Sequence, residues 1–488
     1  MQRARKRDKS FQFHRRYDRA SLLILEWTNT RFLRRARANQ FLRNQSSFQT
    51  ENVREGGRVR HSPPLPIARR TADIPAEAQW IPSWSFFSLA KSYYPTYEIS
   101  FESLLKNSTI AYFSLVSGSV PTGVLISFLP LYLFGISNSE FLAASVSSVP
   151  ALSAILASPI WGALKDRSSR SKPLMLVGLL PYAALSFFLA FTRDVTQIFL
   201  AWSAAALLIA ATTPVFASFV TAGVERRGTS LGLMAASSAS GGAVGALVGG
   251  VAYQWYDLRA AFLLGGLGSL TAALIILFAL KENPRPPDPD PSARRIATLE
   301  ILSNRRVLMP CISCFSYMIG ITAFSSLAAI YIVEVLGGSR FLWGISATLG
   351  YVLGAVTIAP TGRLSDRVGR KPIIRAGLLA QIVLFVSFLF FRDPLLVALL
   401  YVAPLVYVVC TTITTLVTDV TSERERGKAV GIQNSWLNAG GVAGPLLGGA
   451  LAQGLGIGVV FPFAITMVLF SVIWAQLTVA EASPKLER

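Results

Sequence analysis

From residue 109 onward, runs of about twenty or more apolar residues follow one another with little between them. That pattern constrains the fold more than any other feature of the chain. A run of this length crosses ~30 Å of hydrocarbon as a helix rising ~1.5 Å per residue. Helices satisfy their own backbone groups in lipid, which is why such runs read as helices. The runs are 109–134, 139–164, 173–192, 195–222, 229–254, 260–280, 306–334, 340–362, 372–391, 394–420, 429–454 and 457–479, which makes twelve predicted spans. Composition agrees: 52% of the 488 residues are hydrophobic and only 15% are charged, where a soluble domain carries about a quarter. The fold class expected is an all-α membrane protein.

The net charge of +20 has two sources. Residues 1–108 hold 20 Lys and Arg against 9 Asp and Glu. The rest sits in short loops of alternating character. The loops after spans 2, 4, 6, 8 and 10 hold 20 Lys and Arg, and the other loops hold only Arg193, Arg259, Arg340 and Arg392. Such a bias puts the basic loops and both termini in the cytoplasm of a multi-pass cell-membrane protein. It also accounts for the basic character without nucleic acid, because the charges alternate with runs too apolar for a soluble fold.

Five domains follow. Residues 1–108 form a basic, poorly structured extension, 109–281 and 306–480 two six-helix bundles, 282–305 a cytoplasmic linker and 481–488 a cytoplasmic tail. The linker opens on Pro284, Pro286, Pro287, Pro289 and Pro291, which marks it as a boundary. No apolar core follows the basic start, so no signal peptide is expected. No methionine lies between Met1 and Met175. A misassigned start and a basic tail against anionic lipid both stay open for the extension.

The two bundles repeat. Gly162, Asp166, Arg167 and Arg170 are answered by Gly362, Asp366, Arg367 and Arg370, and Lys172-Pro173 by Lys371-Pro372 after a one-residue slip. Gly241, Gly245 and Gly249 are answered by Gly440, Gly444 and Gly448. A duplication on this scale in a membrane protein implies two bundles about a central cavity that rock against each other. Glycines four residues apart let helices approach closely, and Pro445 is expected to kink span 11.

The loop Gly-x-Leu-x-Asp-Arg-x-x-Arg, present after span 2 and again after span 8, resembles the signature of the major facilitator superfamily. The resemblance covers 109–480 and implies twelve helices in two pseudo-symmetric bundles. The glycine-rich spans 5 and 11, with Gly444-Pro445, resemble the motif of the drug-efflux antiporter branches. Phe128-Leu129-Pro130-Leu131-Tyr132 resembles the multidrug and tetracycline-type exporters. The resemblance implies a latch at Asp166 and Asp366, with Gly369, Arg370 and Lys371 in its turn and Asp419, Glu423 and Arg426 close by. Ser169 stands where the second loop has Gly369.

The same resemblance implies that spans 1, 4, 7 and 10 line the cavity. The candidates there are Ser117, Ser119 and Thr122; Thr212 and Thr213; Tyr317, Thr322 and Ser325; and Tyr407, Thr411, Thr412 and Thr415. These are hydroxyls and aromatics without charge, which argues against anionic substrates. The family's antiporters often carry an arginine in span 4, whereas Trp202 stands here and no Lys or Arg occurs in 199–221. Glu140, Glu334 and Asp419 lie at span ends. Whether transport is proton-coupled is therefore left open.

No nucleotide-binding Gly-x-x-x-x-Gly-Lys-Ser/Thr loop occurs, which argues against an ATP-driven pump. Cys311 and Cys314 lack a second ligand pair in sequence, since His14 and His61 lie in the extension, so no metal is expected. No enzymatic activity and no cofactor are expected either. The function expected is a secondary transporter, acting as a monomer in the bilayer and exporting neutral or amphipathic small molecules. The alternatives are a sugar or small-metabolite transporter, and a non-transporting sensor.

Overall fold

The computed structural model describes residues 101–168, 170–222, 227–281, 304–422 and 425–478. The extension up to residue 100, Ser169, the linker 282–303, Glu423 and the tail from 479 lie outside the described residues. Twelve long helices are present among those described: α1 Phe101–Ser137, α2 Glu140–Arg167, α3 Lys172–Leu189, α4 Val195–Val220, α5 Arg227–Trp255, α6 Leu258–Ala279, α7 Arg305–Val335, α8 Arg340–Val368, α9 Arg370–Phe390, α10 Pro394–Asp419, α11 Arg426–Leu455 and α12 Ile457–Thr478. Eleven are both long and apolar enough to cross a membrane. The remaining helix, α11, is 30 residues long but carries Gln433, Asn434, Asn438 and Gln453.

Short polar residues set several starts. Ser139, Asp194, Asn304, Ser339 and Asp393 each accept a backbone N–H from the first turn of the helix that follows. These are the orphan donors of a helix N-terminus. At the other ends, Gly369 (φ 100°) and Gly456 (φ 87°) stop α8 and α11. Only glycine takes such a φ without strain.

The halves are built by one plan. In the first, Ser114 Oγ donates to Ala272 O and Ser117 Oγ to Gly268 O, tying α1 to α6. In the second, Ser313 Oγ donates to Ser471 O and Ser316 Oγ to Met467 O, tying α7 to α12. Every partner is displaced by the same 199 residues. Lys172 Nζ reaches Leu277 O at the end of α6, and Lys371 Nζ reaches Gln476 O at the end of α12. A cation there meets the negative end of the helix dipole.

The repeated glycines do what their spacing predicts. Gly241 and Gly245 sit on the backbone carbonyls of Val116 and Val120 in α1, and Gly440 and Gly444 on those of Phe315 and Ile319 in α7. Any side chain at these positions would strike backbone, so α5 and α11 cross their partners at the closest approach lipid-embedded helices reach.

The buried apolar core shows where the halves meet. One large cluster takes residues from both, including Phe128, Phe262, Phe324, Trp343 and Phe388. Two smaller clusters belong to one half each: Ala111, Met175, Phe216 and Ala273 in the first, and Val307, Cys311, Val417 and Ala429 in the second. These smaller ones lie toward the end that carries the Asp166 and Asp366 loops, called here the motif end. The halves thus share a core at the far end and keep separate cores at the motif end.

Candidate functional site: a central cavity and its two ends

A cavity of about 540 Å³ lies between the halves, and a second of about 730 Å³ adjoins it. Both touch Ile126, Pro150, Trp202 and Asn438, so they share a wall. No Asp, Glu, Lys, Arg or His lines either part, among the described residues. The upper part is walled by Trp202, Trp343, Tyr351, Phe385, Tyr401 and Tyr407, with Gln381 and Asn438 as amides. The lower part is lined mostly by the first half, with Thr122, Tyr182, Thr212 and Thr213, and by Asn434 and Ser435 of α11. Two indole N–H groups brace the wall: Trp202 Nε1 donates to Val146 O at 3.0 Å and Trp343 Nε1 to Ser127 O at 2.7 Å.

Helix breaks fall where this wall is. α4 is interrupted between Ile209 and Thr212, α10 between Tyr401 and Leu405, and α7 after Ser325. Ala210, Pro404 and Ser326 at these breaks all line the cavity. Irregular backbone at membrane depth is tolerated where it faces a cavity rather than lipid.

Of the hydroxyl candidates, Thr122, Thr212, Thr213, Thr322, Tyr407, Ser119 and Ser325 line the cavity. Ser117, Tyr317, Thr411, Thr412 and Thr415 do not. Ser117 is turned onto α6 as one of the inter-helix ties. Tyr317 is fully buried, and its hydroxyl donates to Gln381 Oε1 at 3.4 Å. Thr412 is fully buried and donates to the carbonyl of Val408 in its own helix, the usual fate of a threonine in a span. Thr415 likewise donates to Thr411 O, on the stretch of α10 beyond the cavity wall. Sequence reasoning missed Trp343, Tyr351, Tyr401, Gln381 and Asn438. The available signal was an uncharged polar or aromatic residue in mid-span, above all the Asn434, Ser435, Asn438 group of α11.

At the far end two clamps join the halves. Gln254 Oε1, at the end of α5, accepts the N–H of Phe341 in the first turn of α8 at 3.3 Å. Gln453 Oε1, at the end of α11, accepts the N–H of Phe141 in the first turn of α2 at 3.4 Å and the hydroxyl of Ser139 at 2.8 Å. Below the clamps, Gly250 abuts Gly344 and Gly449 abuts Ala144. Arg340 lies 4.4 Å over the Tyr253 ring, capping the same seam. Toward the motif end, Gly228, Gly232, Gly362, Gly427 and Gly431 have nothing within 4 Å of where a Cβ would stand, as do Gly135, Gly337 and Gly454 at the far end.

The second signature loop forms a network inside its own half. Arg370 reaches Asp366 at 2.6 Å, Asp419 at 2.9 Å and Ser365 Oγ at 2.6 Å, tying α8, α9 and α10 together. Arg370 is only 13% exposed on its side chain while Asp366 is 62% exposed, so the arginine is the hub and Asp366 faces outward. Arg426 Nε donates to Thr418 O at 3.3 Å. The first loop turns differently: Ser168 Oγ donates to Arg170 O and accepts the Arg170 N–H. Asp166 and Arg170 are exposed there.

Two duplicated bundles about one central cavity define a membrane carrier for small solutes. The chain belongs to the Major Facilitator Superfamily, whose family model matches residues 111–413 and 311–488. It is similar to the multidrug resistance protein MdtG of Salmonella arizonae, 24% identical over 383 residues, covering 76% of this chain and 94% of that protein. The MdtG of Escherichia fergusonii is likewise 24% identical, with 76% and 93% covered. The fold matches the nucleoside transporter NupG with a TM-score of 0.65 at 15% identity, over 76% of this chain and 98% of that one. It also matches a bacterial homologue of the human lysosomal transporter Spinster, in an inward-facing and occupied conformation. There the TM-score is 0.64 at 16% identity, over 77% and 96% of the two chains.

Proposed function

We propose that this transporter exports neutral or amphipathic small molecules across the cell membrane by alternating access, with the motif end in the cytoplasm. The observation that carries the reading is the uncharged, aromatic-walled cavity between the bundles. Aromatic faces take up flat apolar solutes by area and a variety of orientations. Without Lys or Arg in the wall, an anion entering would leave its charge unpaired in a low-dielectric space. The similarity to multidrug resistance proteins supports the same substrate class.

The basic loops support the orientation. With that orientation, the clamped far end and the separate motif-end cores support a carrier loading from the cytoplasm. The path runs within one chain, which supports a monomer as the working unit. The alternative substrate class is a sugar or other small metabolite, favoured by the amides Gln381, Asn434 and Asn438 along the path.

The test is flux in proteoliposomes across a panel of neutral, cationic, anionic and sugar solutes, with and without an imposed pH gradient. Saturable movement of amphipathic dyes, with sugars excluded, supports export of drug-like compounds. Movement of one sugar or metabolite alone replaces it by the alternative. The pH-gradient arm decides whether flux is proton-linked.

A further inference from the structure

The sequence offers the two cysteines of α7 no second ligand pair, but the fold supplies one. Cys314 and Met318 lie one turn apart on the same face of α7. From α10, Cys410 meets both: its thiol hydrogen-bonds with that of Cys314, and its Sγ stands 3.8 Å from Met318 Sδ. Behind them Gln433 of α11, fully buried, turns its amide Nε2 toward Cys314 Sγ at 3.8 Å. Thr414 Oγ1 holds the amide oxygen at 3.0 Å, which leaves the NH₂ side for the sulfur. Met318 also lines the cavity.

We propose that Cys314, Cys410 and Met318 form a binding site for one soft monovalent cation, Cu⁺ or Ag⁺, reached from the central cavity. Thiolate and thioether donors select such ions over harder ones. Among the described residues no third Cys, His, Asp or Glu joins the two thiols, so the thioether is the third donor. A metal–sulfur bond of ~2.3 Å places three trigonal sulfurs ~4 Å apart, close to the 3.8 Å between Cys410 Sγ and Met318 Sδ.

The ion binds as M⁺, both coordinating thiols give up their protons, and Met318 binds as a neutral donor. The Gln433 N–H is placed to stabilise the Cys314 thiolate. No oxidation or reduction is involved.

The reading stands apart from the choice of transported solute, because it rests on side chains of α7, α10 and α11. It is tested by titrating the reduced full-length protein in detergent with Ag⁺, following heat and proton release in weak buffer. One equivalent of Ag⁺ binding with two protons released is expected. Cys314→Ser and Cys410→Ser should each abolish the saturable binding, and Met318→Leu should weaken it. Gln433→Leu, acting as an outer-shell partner, should cost ~10-fold in affinity. Cys311→Ser should change nothing, since Cys311 packs in a separate apolar cluster with Val307 and Val417.

Binding that survives Cys410→Ser, or that moves with Cys311→Ser, overturns the proposal. So does a lack of saturable binding while the thiols titrate as free, or a Cys314–Cys410 disulfide persisting under reductant. If a serine variant fails to fold, Met318→Leu and Gln433→Leu still decide the matter: unchanged affinity in both refutes it.

Discussion

The two halves share their joints and differ in their walls. The serine ties of α1 to α6 and α7 to α12, the lysine caps, the glycine crossings and the glutamine clamps all recur at a spacing of 199 or 200 residues. The cavity wall does not. Gly242 of α5 packs on the ring of Tyr351, whereas its counterpart Gly441 of α11 meets only the methyl of Ala151. Trp202 of the first half is answered by Tyr401, and Thr122 by Ile321. What duplication preserved is the machinery by which bundles hold and pivot. What diverged is the surface a solute touches. A cavity with unlike walls suits solutes that have no symmetry of their own.

The largest effects should come from the shared crossings. Gly245→Val and Gly444→Val each press a branched side chain into a neighbouring backbone, and overpacking of this kind costs ~1–3 kcal/mol or more. Both should sharply reduce folded protein, measured by size-exclusion chromatography of detergent extracts. Folding of one variant and not the other would break the equivalence of the halves.

Asp366→Asn should lower transport up to about fivefold while leaving the protein inserted, because a pair whose carboxylate is 62% exposed is worth at most ~1 kcal/mol. Asp166→Asn should do less, since its loop lacks the glycine turn. Initial rates in proteoliposomes check both, and equal losses would show that the second loop has no special role.

The clamps come next. Gln254→Leu removes one hydrogen bond, ~1 kcal/mol, which shifts the balance of access states ~5-fold toward opening at the far end, and Gln453→Leu removes two and should shift it further. Cysteine-labelling rates at introduced far-end sites read this directly. Smallest of all, Ser117→Ala and Ser316→Ala should each cost ~0.6 kcal/mol, the usual worth of a hydrogen bond between membrane helices. Thermal unfolding should show the two shifts to be alike.

The legibility of the chain follows the same division. Span positions, the duplication and the glycine crossings were readable, because length, apolarity and small-residue spacing are properties of the chain itself. Six extra residues at the end of α8, and an earlier start for α1, were not. Charged termini such as Arg363–Arg367 remain helical past the apolar run, since nothing but Gly369 stops them. The cavity was read in part. Hydroxyls were legible as polar atoms, but which face each presents depends on helix rotation. Ser117 and Tyr317 were therefore misplaced onto the lining, while Tyr351 and Trp343 on α8 were overlooked. The Arg370 hub was legible as a loop motif with Asp419 close by, but not the pairing itself, because Asp419 comes from α10 some fifty residues further on.

The polar character of α11 has a consequence for biogenesis. A segment bearing four amide side chains partitions into hydrocarbon less readily than its eleven companions. Its glycines leave little apolar surface to offset that cost. Its neighbour α12 begins two residues after α11 ends and is strongly apolar, so the pair is suited to enter the bilayer as one hairpin. The four amides, of which Asn434 and Asn438 give the solute path its polarity, thus make the eleventh crossing depend on the twelfth during synthesis.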